Sequence, residues 1–156
     1  MSSFFVVGFM AVKGGSKRDV ESKSQSGDSI RLQYVFYNVG IQCLHTRSPI
    51  LGELRSYCYS PTEAVLKDNT VIFVVAKAHA PPNSVVLLEC LYMAPIPGDP
   101  DEESYDDNIP DTQYPFIFCL GQVTRSTEPT ATSTLKTFQM NVSEFVRGKK
   151  LTSVLQ

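Results

Sequence analysis

Apolar and polar residues alternate along much of this chain of 156 residues. Side chains of a β-strand point to opposite faces in turn, so a period of two predicts strands rather than helices. The predicted strands cover residues 4–12, 30–37, 52–59, 70–78, 84–93, 115–124, 135–142 and 151–155.

Turn-forming residues separate these strands. Residues 13–29 are rich in Gly, Ser, Lys and Asp and are predicted to form a long loop. One short helix is predicted to begin at Ser60, because Ser-Pro-Thr-Glu matches a capping box with proline in the first turn; a simple turn is the alternative. About eight strands and one short helix predict an all-β barrel or sandwich.

Composition places the chain among single-domain globular proteins. Its 42% hydrophobic and 19% charged residues are ordinary values, and one domain is expected to span residues 1–156. No apolar run approaches the ~20 residues that cross a bilayer, so no membrane partner is expected. No secretion signal is recognised and the cysteines lack metal-site spacing, which favours reduced thiols and an intracellular, cytoplasmic or nuclear, protein. The cysteines are Cys43, Cys58, Cys90 and Cys119.

Charge is distributed unevenly. Residues 99–111 (DPDEESYDDNIPD) hold seven of the sixteen acidic residues and no Lys or Arg. The rest of the chain has nine acids against fourteen bases, a net charge of +5, although the whole chain carries −2. The surrounding Pro-rich stretch, 97–113, is predicted to be a mobile loop. The basic remainder of the chain could bind a polyanion, and the acidic loop would then limit that binding. A solvated loop without function is the alternative.

Candidate catalytic residues are few. His45 and His79 are the only histidines, and no GxSxG, HExxH, P-loop or GxGxxG motif occurs. The acidic segment lacks the ligand spacing of an EF-hand. We therefore expect no catalytic residue, no metal site and no cofactor, and we interpret the chain as a non-enzymatic binding module.

Aromatic and cationic residues share faces on three predicted strands. Rings can stack on bases while Lys and Arg contact phosphates, so these faces suit single-stranded nucleic acid. Ordinary packing of aromatic residues in strands is the structural alternative. The predicted ligand-binding residues are Arg31, Gln33, Tyr37, Arg55, Tyr57, Tyr59, Lys77 and His79.

The predicted order β-β-β-α-β-β over residues 4–93 resembles the oligonucleotide/oligosaccharide-binding (OB) fold. The stretch Gly121-Gln122-Val123, followed by a loop and TFQMNVSEFVRG at 137–148, is similar to the opening strands of single-strand-binding barrels of the replication-protein-A kind. The resemblance implies an antiparallel Greek-key barrel. A five-stranded barrel does not need residues 115–156, so these would add strands to the barrel or form a second sheet. A β-sandwich is therefore an alternative fold. The resemblance also implies flanking contacts from Lys13, Lys17, Arg18, Lys23, Arg147, Lys149 and Lys150.

Two other functions fit the same residues. Tyr and Arg are enriched in protein interfaces, so the alternative partner is another protein, and the oligomeric state is left open. A carbohydrate-binding sandwich is a third interpretation, which the absence of Trp disfavours. Salt separates these classes, because polyanion binding weakens steeply with salt whereas an apolar interface does not.

Overall fold

The computed structural model describes residues 2–23, 29–43, 48–60, 62–111, 114–126 and 138–155. Of these residues 66% are in strands and 5% are helical, so the chain is all-β as predicted. The strands are β1 (Ser3–Lys23), β2 (Ser29–Ile41), β3 (Ile50–Tyr57), β4 (Val71–His79), β5 (Val86–Pro95), β6 (Phe116–Leu120), β7 (Gln122–Ser126), β8 (Phe138–Val146) and β9 (Lys149–Leu155).

Five strands close into a ring in the order β1-β2-β3-β5-β4, which returns to β1. Four of the five pairings are antiparallel, but β3 and β5 run parallel, with Gly52 opposite Val86 and Arg55 opposite Glu89. The pairing is therefore mainly antiparallel, as predicted, with one parallel pair. An odd number of strands cannot alternate in direction all round a closed ring, so at least one neighbouring pair must be parallel.

The predicted loop at 13–29 is largely strand. β1 continues to Lys23 and pairs with β2 from Val12 opposite Val39 to Lys23 opposite Ser29. The register shifts between Lys13 and Ser16, where Gly14 has a φ of 64°. The glycines therefore produce a β-bulge instead of ending the strand, and the polar residues beyond it form the solvent-facing part of a long hairpin.

The helix predicted at Ser60 is absent from residues 62–69. Contacts related to a capping box form one residue away from their expected places: the Thr62 N–H, rather than that of Glu63, donates to Ser60 Oγ (3.3 Å), and the Tyr59 N–H, rather than that of Ser60, donates to a Glu63 carboxylate oxygen (3.0 Å). The Leu66 N–H, however, donates to the Tyr37 hydroxyl at 3.2 Å. Contacts with the core take the place of the next helical turn.

The one helix in the described residues is a 3₁₀ helix, Glu103–Asn108, inside the acidic segment. Tyr105 on this helix is buried, and its hydroxyl accepts a hydrogen bond from the Val71 N–H at 2.8 Å. Lys67 Nζ lies 2.9 Å from Asp99 and 3.3 Å from Asp101. The segment predicted to be a mobile loop thus has a packed anchor, and its mobility stays a prediction.

The predicted strand at 115–124 divides at Gly121. β6 pairs with the first half of β1, whereas β7 pairs with β8 in a second sheet of order β7-β8-β9. A Cβ at Gly121 would overlap the carbonyl oxygen of Asn141, so the chain needs glycine where it passes from one sheet to the other. Residues 127–137 lie outside the described residues. They include most of the predicted loop at 125–133 and the start of the predicted strand at 135–142.

The core fills the inside of the ring. Leu54, Ile72, Val74 and Leu88 are fully buried there, one side of each strand facing inward. The second sheet packs on β1 and β4. All four cysteines are free thiols. None of the helices in the described part of the chain has the length and apolar character to cross a membrane.

Candidate nucleic-acid interface

A series of three tyrosines lies on the outer face of β2 and β3. Leu54 points into the core, so Arg55 and Tyr57 project outward, as the alternation predicted. Tyr34 on β2 lies directly opposite Tyr57, with ring centroids 5.5 Å apart and edge to face. Tyr59 continues the series, 5.0 Å from Tyr57 and 86% exposed. We call Tyr34, Tyr57 and Tyr59 the tyrosine series.

Arg55 supports the buried end of the series. Its guanidinium lies 4.3 Å from the centroid of the Tyr34 ring, within range of a cation–π interaction. Nε and Nη2 of Arg55 both donate to Glu89 Oε2, at 2.9 and 2.6 Å. Arg55 is 7% exposed, so its charge is compensated by Glu89 and is withdrawn from solvent. Its role here is to position Tyr34.

Two further arginines border the same face. Arg18 and Arg147 lie 4.6 and 5.5 Å from the centroid of the Phe36 ring. Both contact the carboxylate of Glu53, Arg18 at 3.9 Å. The Arg147 N–H also donates to Glu89 Oε2 at 3.0 Å. Three arginines and two glutamates thus form a continuous network that leaves a net charge of +1, with Arg18 its most exposed cation.

A small cavity of about 180 Å³ opens beside the tyrosine series. Leu91 and Tyr92, both more than half exposed, extend its apolar wall, and Glu63 supplies a carboxylate. Burial raises the pKa of the Cys90 thiol, which also lines the cavity. An aromatic ring that stacks on the series would lie beside apolar side chains and a carboxylate acceptor.

Tyr37 does not belong to this face. The alternation correctly grouped it with Arg31 and Gln33, but this side of β2 turns inward, where Val35 and Val39 are also buried. Tyr37 is 2% exposed and its burial raises its pKa above the ordinary 10.0, so placing it in a stacking surface was wrong. It is a core residue that holds Leu66.

Arg31 and Gln33 lie near the start of β2, on the extended hairpin. Arg31 is exposed, opposite Glu21 of β1. Gln33 is half-buried and donates to Asp19 at 3.3 Å. Neither lies on the outer face of β2 with Tyr34, because odd-numbered side chains of this strand point to the face opposite that of Tyr34.

Lys77 and His79 were also grouped with this surface, and the structure separates them from it. They project from the outer face of β4, two strands from β3 round the ring, where the second sheet covers them. Lys77 Nζ lies 3.2 Å from Glu144, and His79 Nδ1 lies 3.0 Å from Ser153 Oγ. Burial lowers the pKa of His79 below 6.5. His45 lies outside the described residues.

Sequence reasoning missed Tyr34, Phe36 and the carboxylate partners of the arginines. The apolar residues Val39 and Ile41 extend the period of two beyond Tyr37. Following the alternation that far would have identified the odd-numbered side of β2 as the core side, and Tyr34 as outward. The flanking residues Lys13, Lys17, Arg18 and Lys23 lie within β1, and Lys149 and Lys150 within β9.

The described residues contain no group of three or more His, Cys, Asp or Glu placed to hold a metal ion. Comparison with protein-family models, curated proteins and solved structures gives no match for this chain.

Proposed function

We propose that this chain is a non-enzymatic module that binds single-stranded nucleic acid on the outer face of β2 and β3. The tyrosine series carries the proposal. Its rings run from Tyr34, under the Arg55 guanidinium, to the open ring of Tyr59. Stacking on an exposed ring contributes about 1–3 kcal/mol per base and tolerates any sequence, so two open rings support measurable affinity.

The strand pairing supports a finer proposal for the fold, an OB-type barrel. The ring order β1-β2-β3-β5-β4 and its parallel β3–β5 pair agree with a Greek-key path through five strands. Ligands of OB folds lie across the face of the second and third strands, between the loops at either end. The tyrosine series occupies this face, which is an argument independent of its composition.

Positive charge near the series supports the choice of a polyanion. Arg18 is more than half exposed at one border of the face, and the extended β1–β2 hairpin carries Lys13, Lys17 and Arg31. A strand lying across the tyrosine rings would place its phosphates towards this hairpin. Arg55 and Arg147 contribute less, since Glu89 and Glu53 compensate their charges.

Fluorescence anisotropy with labelled oligonucleotides tests the proposal. We expect single-stranded DNA and RNA to bind more tightly than duplex DNA or neutral glycans, with affinity that falls as salt rises. Tyr59→Ala should weaken binding, whereas the matched control Tyr114→Ala, an exposed tyrosine next to β6, should not. Equal affinity for all ligands, or equal losses in both variants, would reject a binding site at the tyrosine series.

A protein-interaction role is favoured by a separate observation. β6 exposes apolar side chains on an open sheet edge, away from the tyrosine series. The two roles use different surfaces and are therefore compatible.

A further inference from the structure

β6 presents apolar side chains on both of its faces. Phe116, Ile117, Phe118 and Leu120 are between 52% and 72% exposed. Phe116 and Phe118 share one face, with nearly parallel rings whose centroids are 6.1 Å apart. A strand that packs one face on a core exposes only the other, so β6 has more apolar surface in solvent than its place in the fold requires.

In the part of the chain that the structure describes, the outer edge of β6 is also open. Among the described strands β6 pairs with β1 alone, from Val7 opposite Phe116 to Ser3 opposite Leu120. Alternate N–H and C=O groups of its backbone therefore point away from the sheet without a ladder partner there. Edge strands are commonly protected by charged side chains or an internal proline. β6 contains neither between Phe116 and Leu120.

We propose that β6 pairs antiparallel with β6 of a second copy of this chain, about a two-fold axis. In the register centred on Phe118, that residue lies opposite its own counterpart. Ile117 then lies opposite Cys119, and Phe116 lies opposite Leu120. Every position of this uncharged strand meets an apolar or thiol side chain, and the backbone groups of both edges gain partners.

Charges on the segments that flank β6 in sequence favour the antiparallel direction. The exposed acid Asp111 precedes the strand, and the exposed base Arg125 follows it on β7. Antiparallel pairing brings the acidic flank of one copy towards the basic flank of the other. Parallel pairing would bring like charges together at both ends, which is unfavourable.

Sedimentation velocity over a wide range of protein concentration tests the pairing. The wild-type chain should approach twice the monomer mass of 17.3 kDa as concentration rises. Phe118→Lys places two like charges opposite each other at the axis and should leave only monomer. The matched control Leu51→Lys changes an equally apolar, 65% exposed residue of β3 and should still dimerise. A monomeric wild type would overturn the proposal. Dimerisation of both variants, or of neither, would overturn it as well.

Disulfide trapping tests the register and does not depend on how a lysine affects folding. With Cys119 replaced by Ser, Phe118→Cys places two thiols directly opposite each other at the axis, within disulfide reach. Mild oxidation should give a covalent dimer of Phe118→Cys. Phe116→Cys, whose thiol would face Leu120, should give little. Equal trapping of both variants, or none in Phe118→Cys, would overturn the centred register.

Discussion

Glu89 accepts both hydrogen bonds from the Arg55 guanidinium through a single oxygen, Oε2. The two residues lie directly opposite each other on the parallel strands β3 and β5. The same oxygen accepts from the N–H of Arg147, in the turn between β8 and β9. One carboxylate therefore joins the ring to the second sheet, at the end of the tyrosine series.

Removing this carboxylate should destabilise the fold. Glu89→Ala leaves the buried Arg55 charge uncompensated, and we expect the free energy of unfolding to fall by about 3 kcal/mol. Urea unfolding followed by circular dichroism measures the change. Glu102→Ala, which removes an exposed acid, is the control and should have little effect. A change for Glu89→Ala no larger than that of the control would show that the pair contributes little.

Tyr37 and Tyr57, two of the three tyrosines predicted as ligand-binding residues, should behave differently. Tyr57→Ala should weaken single-strand binding by about 1–3 kcal/mol with the fold intact, because a stacking ring is lost. Tyr37→Phe should leave binding unchanged and lower stability by about 1 kcal/mol, because the Leu66 N–H loses its acceptor. Anisotropy and urea unfolding on each variant separate the two effects. Unchanged binding in Tyr57→Ala would assign it a purely structural role.

Arg18 and Arg55 should differ in the salt dependence of binding. Each phosphate contact adds about 0.7 to the slope of log affinity against log salt for single strands. Arg18→Gln should reduce the slope by about this amount, since Arg18 is exposed at the border of the face. Arg55→Met should leave the slope unchanged, because the Arg55 guanidinium is buried against Glu89 and does not reach a phosphate. Titrations at four or more salt concentrations provide the slopes; the reverse result would make Arg55 the phosphate contact.

Neutralising the acidic segment should strengthen nucleic-acid binding at low salt. Glu102→Gln, Asp106→Asn and Asp107→Asn together remove three exposed charges but keep Tyr105, the anchor of the segment. The gain should shrink towards ~1 M salt, where the Debye length is about 3 Å. Replacing all of 99–111 would confuse this test, because it removes Tyr105 as well. Affinity that stays flat at every salt concentration would show that the segment does not limit binding.

Stability should fall as pH drops below 6.5, with a contribution from His79. Burial lowers the folded-state pKa of His79, so below the unfolded value of 6.5 the unfolded chain binds more protons than the folded chain. The resulting loss grows until the pH reaches the folded-state pKa, and above 6.5 it is absent. His79→Asn should remove this component from a series of melting temperatures against pH. An identical pH profile in wild type and variant would contradict it.

Local alternation was sufficient for one half of the candidate site. Leu54 in β3 and Cys58 just after it are apolar and face the core, which leaves Arg55 and Tyr57 outside. In β2 the alternation grouped side chains correctly, but both groups contain aromatic residues. The prediction stopped at Tyr37 and did not use the apolar Val39 and Ile41, which mark the core side, so Tyr34 was missed and Tyr37 was misplaced.

Residue types and their period of two were enough to establish an all-β chain, most of its strands and its uneven charge, since each follows from near neighbours in sequence. Contacts between distant segments settled the rest. Ring closure requires β3 and β5 to run parallel. The second sheet covers Lys77 and His79. The segment predicted to be helical instead packs on the core, where the Leu66 N–H donates to the Tyr37 hydroxyl. The free energy of such contacts depends on which surfaces meet after folding, so the pattern of neighbouring residues in the sequence does not predict it.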